Sequence, residues 1–152
     1  MLALAEWARA NSGTIESTVA GRSMLPTLPA GTRIVIDLRD RDYRPGAIVA
    51  VLSGNTVTAH RLIGRGRGRR ARGYWIARGD ANALPDPPVS VAAVLGSVRL
   101  ADGGELAAEP RRSLLVRIAA LIVTAALEVD VRFARALTRA ASAGRARLQF
   151  AS

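Results

Sequence analysis

Short apolar runs rich in valine and isoleucine recur along the first hundred residues, separated by glycine, proline, asparagine and aspartate. Residues 14–19, 33–37, 47–52, 56–63, 74–78 and 94–100 have the length and β-branched content of strands. Ser53-Gly54-Asn55, between two of them, predicts a tight hairpin turn. Strands without intervening helices imply a mainly β fold, a compact, strongly twisted, barrel-like sheet. From Arg112 to about Ala141 the period changes. Leu114, Leu115, Ile118, Leu121, Ile122, Ala125 and Val129 recur at steps of three and four, the stripe of an amphipathic C-terminal α-helix. Pro110 and Ser113 stand where such a helix would start. Residues 2–10 suit a short helix with Leu2, Ala5 and Trp7 broadly on one side.

A chain of 152 residues is one domain with room for an appendage. The expected division is a β core over residues 1–110 and a helical appendage over 111–152. Cysteine is absent, which excludes disulfides and thiolate zinc sites, and with one histidine no transition-metal site is expected. Asp37, Asp40 and Asp42 cluster, but Arg39 and Arg41 interleave with them, so they read as a solvated turn rather than a calcium site. No cofactor is expected.

Charge adds a second theme. The net charge is +10, and residues 111–152 hold eight arginines against Glu128 and Asp130. Such a segment suits an anionic surface. The expectation is peripheral contact with an anionic membrane through residues 111–141, or a helix packed on the sheet or on a second subunit. The arginine-glycine tract from Gly64 to Gly73 reads as a solvated hairpin tip; only Tyr74 and Trp75 lie near enough to stack on bases, so nucleic acid is not the expected partner. The first residues lack the basic start and long apolar centre of a cleavable signal, and no stretch of 18 apolar residues occurs. The expected location is therefore cytoplasmic or peripheral at a membrane.

Composition also narrows the chemistry. All 22 basic residues are arginine, and His60 is the only histidine. A serine hydroxyl attacks only when a neighbouring base takes its proton, usually histidine or a desolvated lysine. Arginine stays protonated and cannot serve. Ser23 lies in the turn Gly21-Arg22-Ser23-Met24-Leu25-Pro26, so a nucleophilic Ser23 would leave His60 as its base.

The order of landmarks supports that pairing. Gly21–Gly31 with Ser23-Met24-Leu25-Pro26 is followed by Ile34-Val35-Ile36, then Pro45-Gly46-Ala47-Ile48-Val49-Ala50-Val51. Ala59-His60-Arg61-Leu62-Ile63 comes next, then Arg78-Gly79-Asp80-Ala81-Asn82, Asp86 and Val94–Val98. Over residues 15–100 this resembles the signal peptidase superfamily of serine proteases, which includes the LexA-type self-cleaving repressors. Most bacterial signal peptidases and the LexA-type proteases use a serine-lysine dyad; His60 stands where that lysine falls. The closer likeness is to the archaeal and endoplasmic-reticulum signal peptidases. The resemblance implies Ser23 as nucleophile, His60 as base, and the Ser23 backbone N–H as an oxyanion donor. Asp80 and Asp86 are both candidates to orient His60, and the resemblance favours Asp86, with Asp80 as structural support. Gly21 offers no side-chain hydroxyl for the oxyanion.

The expected function is a serine endopeptidase that removes leader or signal peptides after small residues, from a preprotein bound as an extended strand. Two other readings compete. One is a self-cleaving LexA-type regulator, disfavoured because only 22 residues precede Ser23. The other is a catalytically dead basic β-domain that binds lipid or nucleic acid. A homo-oligomer is compatible with each.

Overall fold

The computed structural model describes residue 10 and residues 13–66, 72–106 and 114–149, with side chains left aside at 114–117, 120, 127–129 and 141–149. The helix expected over residues 2–10 and the tip of the arginine-glycine tract lie outside the described residues, apart from Ala10 and the ends of the tract.

Seven antiparallel strands form a curled half-barrel: β1 (Thr14–Thr18), β2 (Arg33–Asp37), β3 (Ile48–Ser53), β4 (Thr56–Arg65), β5 (Tyr74–Arg78), β6 (Val89–Ser90) and β7 (Val94–Leu100). Their order across the sheet is β1-β2-β7-β3-β4-β5-β6. The last strand in sequence thus lies between β2 and β3. Six strands fall where the apolar runs placed them. The seventh, Val89–Ser90, is two residues long, too short to leave a pattern. The hairpin between β3 and β4 closes on Gly54-Asn55, with Ser53 opposite Thr56. Gly54 has φ of 59° and Asn55 does not have positive φ, the φ pattern of a type II′ turn, which needs glycine first.

Alternation along β3 shows why the sheet is buried on both faces. Ile48 and Ala50 join a core with Met24, Leu28, Ile34, Ile36, Leu38, Leu95 and Val98. Val49 and Val51 point the other way and pack with Tyr43, Leu62, Trp75, Ala77 and Val94. Leu62 is wholly buried, and truncating such a side chain to alanine costs about 2–5 kcal/mol.

The C-terminal region is a pair of helices rather than one: α1 (Leu114–Val129) and α2 (Val131–Gln149). Asp130 separates them. Its carboxylate accepts the backbone N–H groups of Arg132 and Phe133, which caps the start of α2 and ends α1. The inward face of α1 also differs from the expected stripe. Val123 and Ala126 pack on Ile76 of β5 with Ala134 of α2, while Ile118, Leu121 and Ile122 are exposed. The described part of α1 is apolar on nearly every side, so periodicity could not select a face; Val123 and Ala126 face the sheet, with Ile118, Leu121 and Ile122 outward.

Candidate active site

Ser23 sits in the turn between β1 and β2, over the first core. Met24 (2% exposed) and Leu28 (0%) anchor the turn from below, and the Met24 carbonyl accepts the Leu28 N–H. The Leu25-Pro26 peptide bond is cis. The chain before Ser23 is open: a Cβ at Gly21 would meet nothing within 4 Å. Among the described residues, no backbone acceptor pairs with the Ser23 N–H. That donor is available to a ligand.

His60 lies on β4 opposite Val49 of β3. Its Nε2 is 3.1 Å from Ser23 Oγ, and its Nδ1 is 2.5 Å from Asp86 Oδ2. An aspartate side chain acting as acceptor requires the proton on Nδ1, which leaves the Nε2 lone pair facing the serine hydroxyl. The His60 side chain is 13% exposed and that of Asp86 25%, so a substrate can reach both. Asp86 is held by its own N–H, which donates to the Ala77 carbonyl at 2.9 Å, and by the flanking Pro85 and Pro87.

Asp80 has a different place. Consecutive strand residues point to opposite sides, so Arg61 turns away from His60 and into the interior. There its Nε and Nη2 donate to the two Asp80 oxygens at 2.9 and 2.7 Å, with the Asp80 side chain fully buried. Thr27 donates its hydroxyl to Asp80 Oδ2 at 2.5 Å, and Arg61 Nη1 donates to the Gly46 carbonyl. Burial acts to raise the Asp80 pKa, but the Arg61 and Thr27 hydrogen bonds and the charges of Arg61 and Arg78 outweigh it and hold the carboxyl below its ordinary 3.8. Asp80 therefore fastens the Ser23 turn, through Thr27, to β4, through Arg61.

The segment that carries both aspartates is docked on the Ser23 turn. Ala81 N–H donates to the Ser23 carbonyl at 2.8 Å, and Asn82 N–H to the Gly79 carbonyl at 2.9 Å. Arg78, buried near the end of β5, donates to the Asn82 carbonyl. The sequence did not mark Arg78 and Thr27 as supports; the only signal for Arg78 was a charge ending the apolar run of β5. The Asp37 carboxylate accepts the Arg39 and Asp40 N–H groups and that of Asp40 the Asp42 N–H, while Arg99 pairs with Asp37 and Asp40 and Arg44 with Asp42.

Two cavities border the site. One of about 310 Å³ contains Ser23 and is lined mostly by apolar residues, including Met24, Ile34, Ile36, Ala50 and Ala59. The other, of about 500 Å³, contains His60 and Asp86 and extends to Pro88, Arg135 and Arg139. The arrangement has the parts for acyl transfer: a hydroxyl, a base within hydrogen-bond reach, a carboxylate behind it and a free N–H beside the hydroxyl.

No curated protein matches this chain. Residues 3–71 match the family model described as Peptidase S24-like, a stretch that holds Ser23 and His60 but stops before Asp86, and the match supports kinship with the LexA and signal peptidase superfamily.

Proposed function

We propose that the protein is a serine endopeptidase that cuts leader or signal segments after small residues, with Ser23 as nucleophile, His60 as base and Asp86 orienting it. The observation that carries this reading is the continuous chain from Ser23 Oγ through His60 to Asp86. His60 Nε2 takes the hydroxyl proton as Oγ attacks the peptide carbonyl, and returns it to the departing amine. Asp86 stabilises the imidazolium formed in between. The Ser23 N–H supports the developing oxyanion; one such donor is worth about 2.7–4 kcal/mol of barrier.

Two free sheet edges favour an extended substrate. β1 pairs only with β2 among the described residues, and β4 pairs with β5 only from Arg61 onward, so residues 56–60 offer an unpaired edge beside the apolar cavity. A peptide entering as a strand would place alternate side chains into that cavity. The bulk of Met24, Ile34 and Ile36 in the lining supports small apolar side chains before the cut. A fluorophosphonate probe that labels Ser23, followed by hydrolysis of peptides carrying alanine before the scissile bond, tests the reading. No labelling under any condition would favour a non-enzymatic binding module.

The helix pair supports a second element, peripheral contact with an anionic bilayer. Leu121 (70% exposed), Ile122 (52%) and Phe133 (57%) present apolar surface on a chain of net charge +10. Among the described residues no helix is long and apolar enough to cross a membrane. Co-sedimentation with phosphatidylglycerol vesicles, absent with neutral ones, tests this element. The division into a protease core over 1–110 and an appendage over 111–152 belongs to the same proposal.

A further inference from the structure

The two cavities that border the site differ in charge as well as position. The cavity that contains Ser23 is lined by apolar and hydroxyl side chains, with no charged residue in its described lining. The cavity that contains His60 and Asp86 is also lined by two arginines from α2, Arg135 and Arg139, one helical turn apart. Arg135 is held in place: its guanidinium lies over the Tyr74 ring at 5.7 Å from the centroid and donates to the Pro88 carbonyl at 3.5 Å. Arg139 is exposed, and neither arginine has a carboxylate partner among the described residues. The only carboxylate in the described lining is Asp86, which His60 already occupies. The lining of this cavity therefore includes two arginines with no described carboxylate partner.

The direction of the substrate follows from the proton transfer. His60 hands its proton to the departing amine, so the residues after the cut lie on the His60 side and those before it on the Ser23 side. We infer that Arg135 and Arg139 form a subsite for acidic side chains in the segment that follows the scissile bond. This inference rests on the peptidase reading for its direction. Guanidinium suits carboxylate through paired, parallel hydrogen bonds. A preference for acid just after the cut would make the helix pair part of substrate selection.

The test separates the two claims by reading binding apart from hydrolysis. The full chain bearing Ser23→Ala is titrated with fluorescein-labelled peptides that carry Ala-Leu-Ala followed by Glu-Glu, or by Gln-Gln, and anisotropy is followed. The Glu-Glu peptide should bind about tenfold tighter, a difference that shrinks in high salt. Adding Arg135→Gln and Arg139→Gln should erase it. Arg139→Gln alone should reduce it, and this single variant decides the matter if the double variant unfolds, because Arg139 lacks the Tyr74 and Pro88 contacts of Arg135. Equal binding of the two peptides, or a preference untouched by Arg139→Gln, overturns the subsite. Hydrolysis by the unaltered chain reads the other claim. Cleavage of both peptides with equal binding removes the subsite and keeps the peptidase. An arginine-dependent preference without cleavage or Ser23 labelling removes the peptidase and keeps the acidic-peptide site.

Discussion

Gly79 and Ser23 are in such close contact that a Cβ at position 79 would stand 2.5 Å from the Ser23 carbonyl oxygen and 2.9 Å from its Cβ. No side chain fits there. The aspartate-bearing segment can approach the Ser23 turn closely enough for the Ala81 N–H to reach the Ser23 carbonyl only because residue 79 has none. Gly79→Ala should therefore cost about 1–3 kcal/mol of stability by overpacking. It should lower turnover per folded molecule by more than that, because the backbone that must yield is the nucleophile's own. Thermal melts, and rates normalised by active-site titration of the same preparation, check both effects.

Ser23→Ala should abolish peptide cleavage and leave the melting midpoint nearly unchanged. The hydroxyl's described partner is His60 Nε2, at a partly exposed position. Retained cleavage would eliminate the proposed nucleophile.

The two aspartates should separate cleanly. Asp86→Asn should keep the fold and lower turnover by about 10⁴-fold, since an amide in that place no longer selects the His60 tautomer that leaves Nε2 free. Asp80→Asn should instead cost about 3–5 kcal/mol of stability, because it strands the buried Arg61 charge. The reverse outcome in paired denaturation and rate measurements would exchange their roles.

Acid should reveal Asp80 in a second way. Its carboxyl is held below its ordinary 3.8 in the folded chain, so the stability it contributes is complete above that value. That contribution is lost as pH falls through the lowered folded-state value. Urea midpoints of the unaltered chain and of Asp80→Asn should therefore differ most near neutrality and converge in acid. A gap that stays constant down to about pH 2 would contradict the assignment.

His60→Lys should be inactive near neutral pH, although lysine is the base in the LexA-type proteases that the sequence resembles. A lysine there would stand beside the Asp86 carboxylate in a partly exposed site, and both circumstances keep an ammonium protonated. Cleavage at ordinary rates by this variant would show that the site can desolvate a base far more than the exposure of His60 implies.

The strand limits were legible because valine and isoleucine fill short runs and because glycine and proline punctuate them. The nearness of Ser23 to His60 was legible by elimination, in a chain with no lysine and one histidine. Burial of Arg61 with Asp80 was not, since an arginine after a histidine looks the same in sequence whether it faces water or the interior. The face of α1 was hidden by excess: with apolar residues on nearly every side, only Ile76 waiting on β5 decides which of them turn inward. Arg135 entered the cleft through a break at Asp130, and its effect on direction is a tertiary matter.

The place of β7 sets the order in which an active molecule can arise. Ser23 belongs to the β1–β2 hairpin and His60 to the β3–β4 hairpin, and in the sheet these two units are joined through Val94–Leu100. A ribosome has thus delivered Ser23, His60 and Asp86 before it delivers the strand that joins their two hairpins within the sheet. On this plan the sheet that carries Ser23 and His60 closes only once synthesis has passed Leu100.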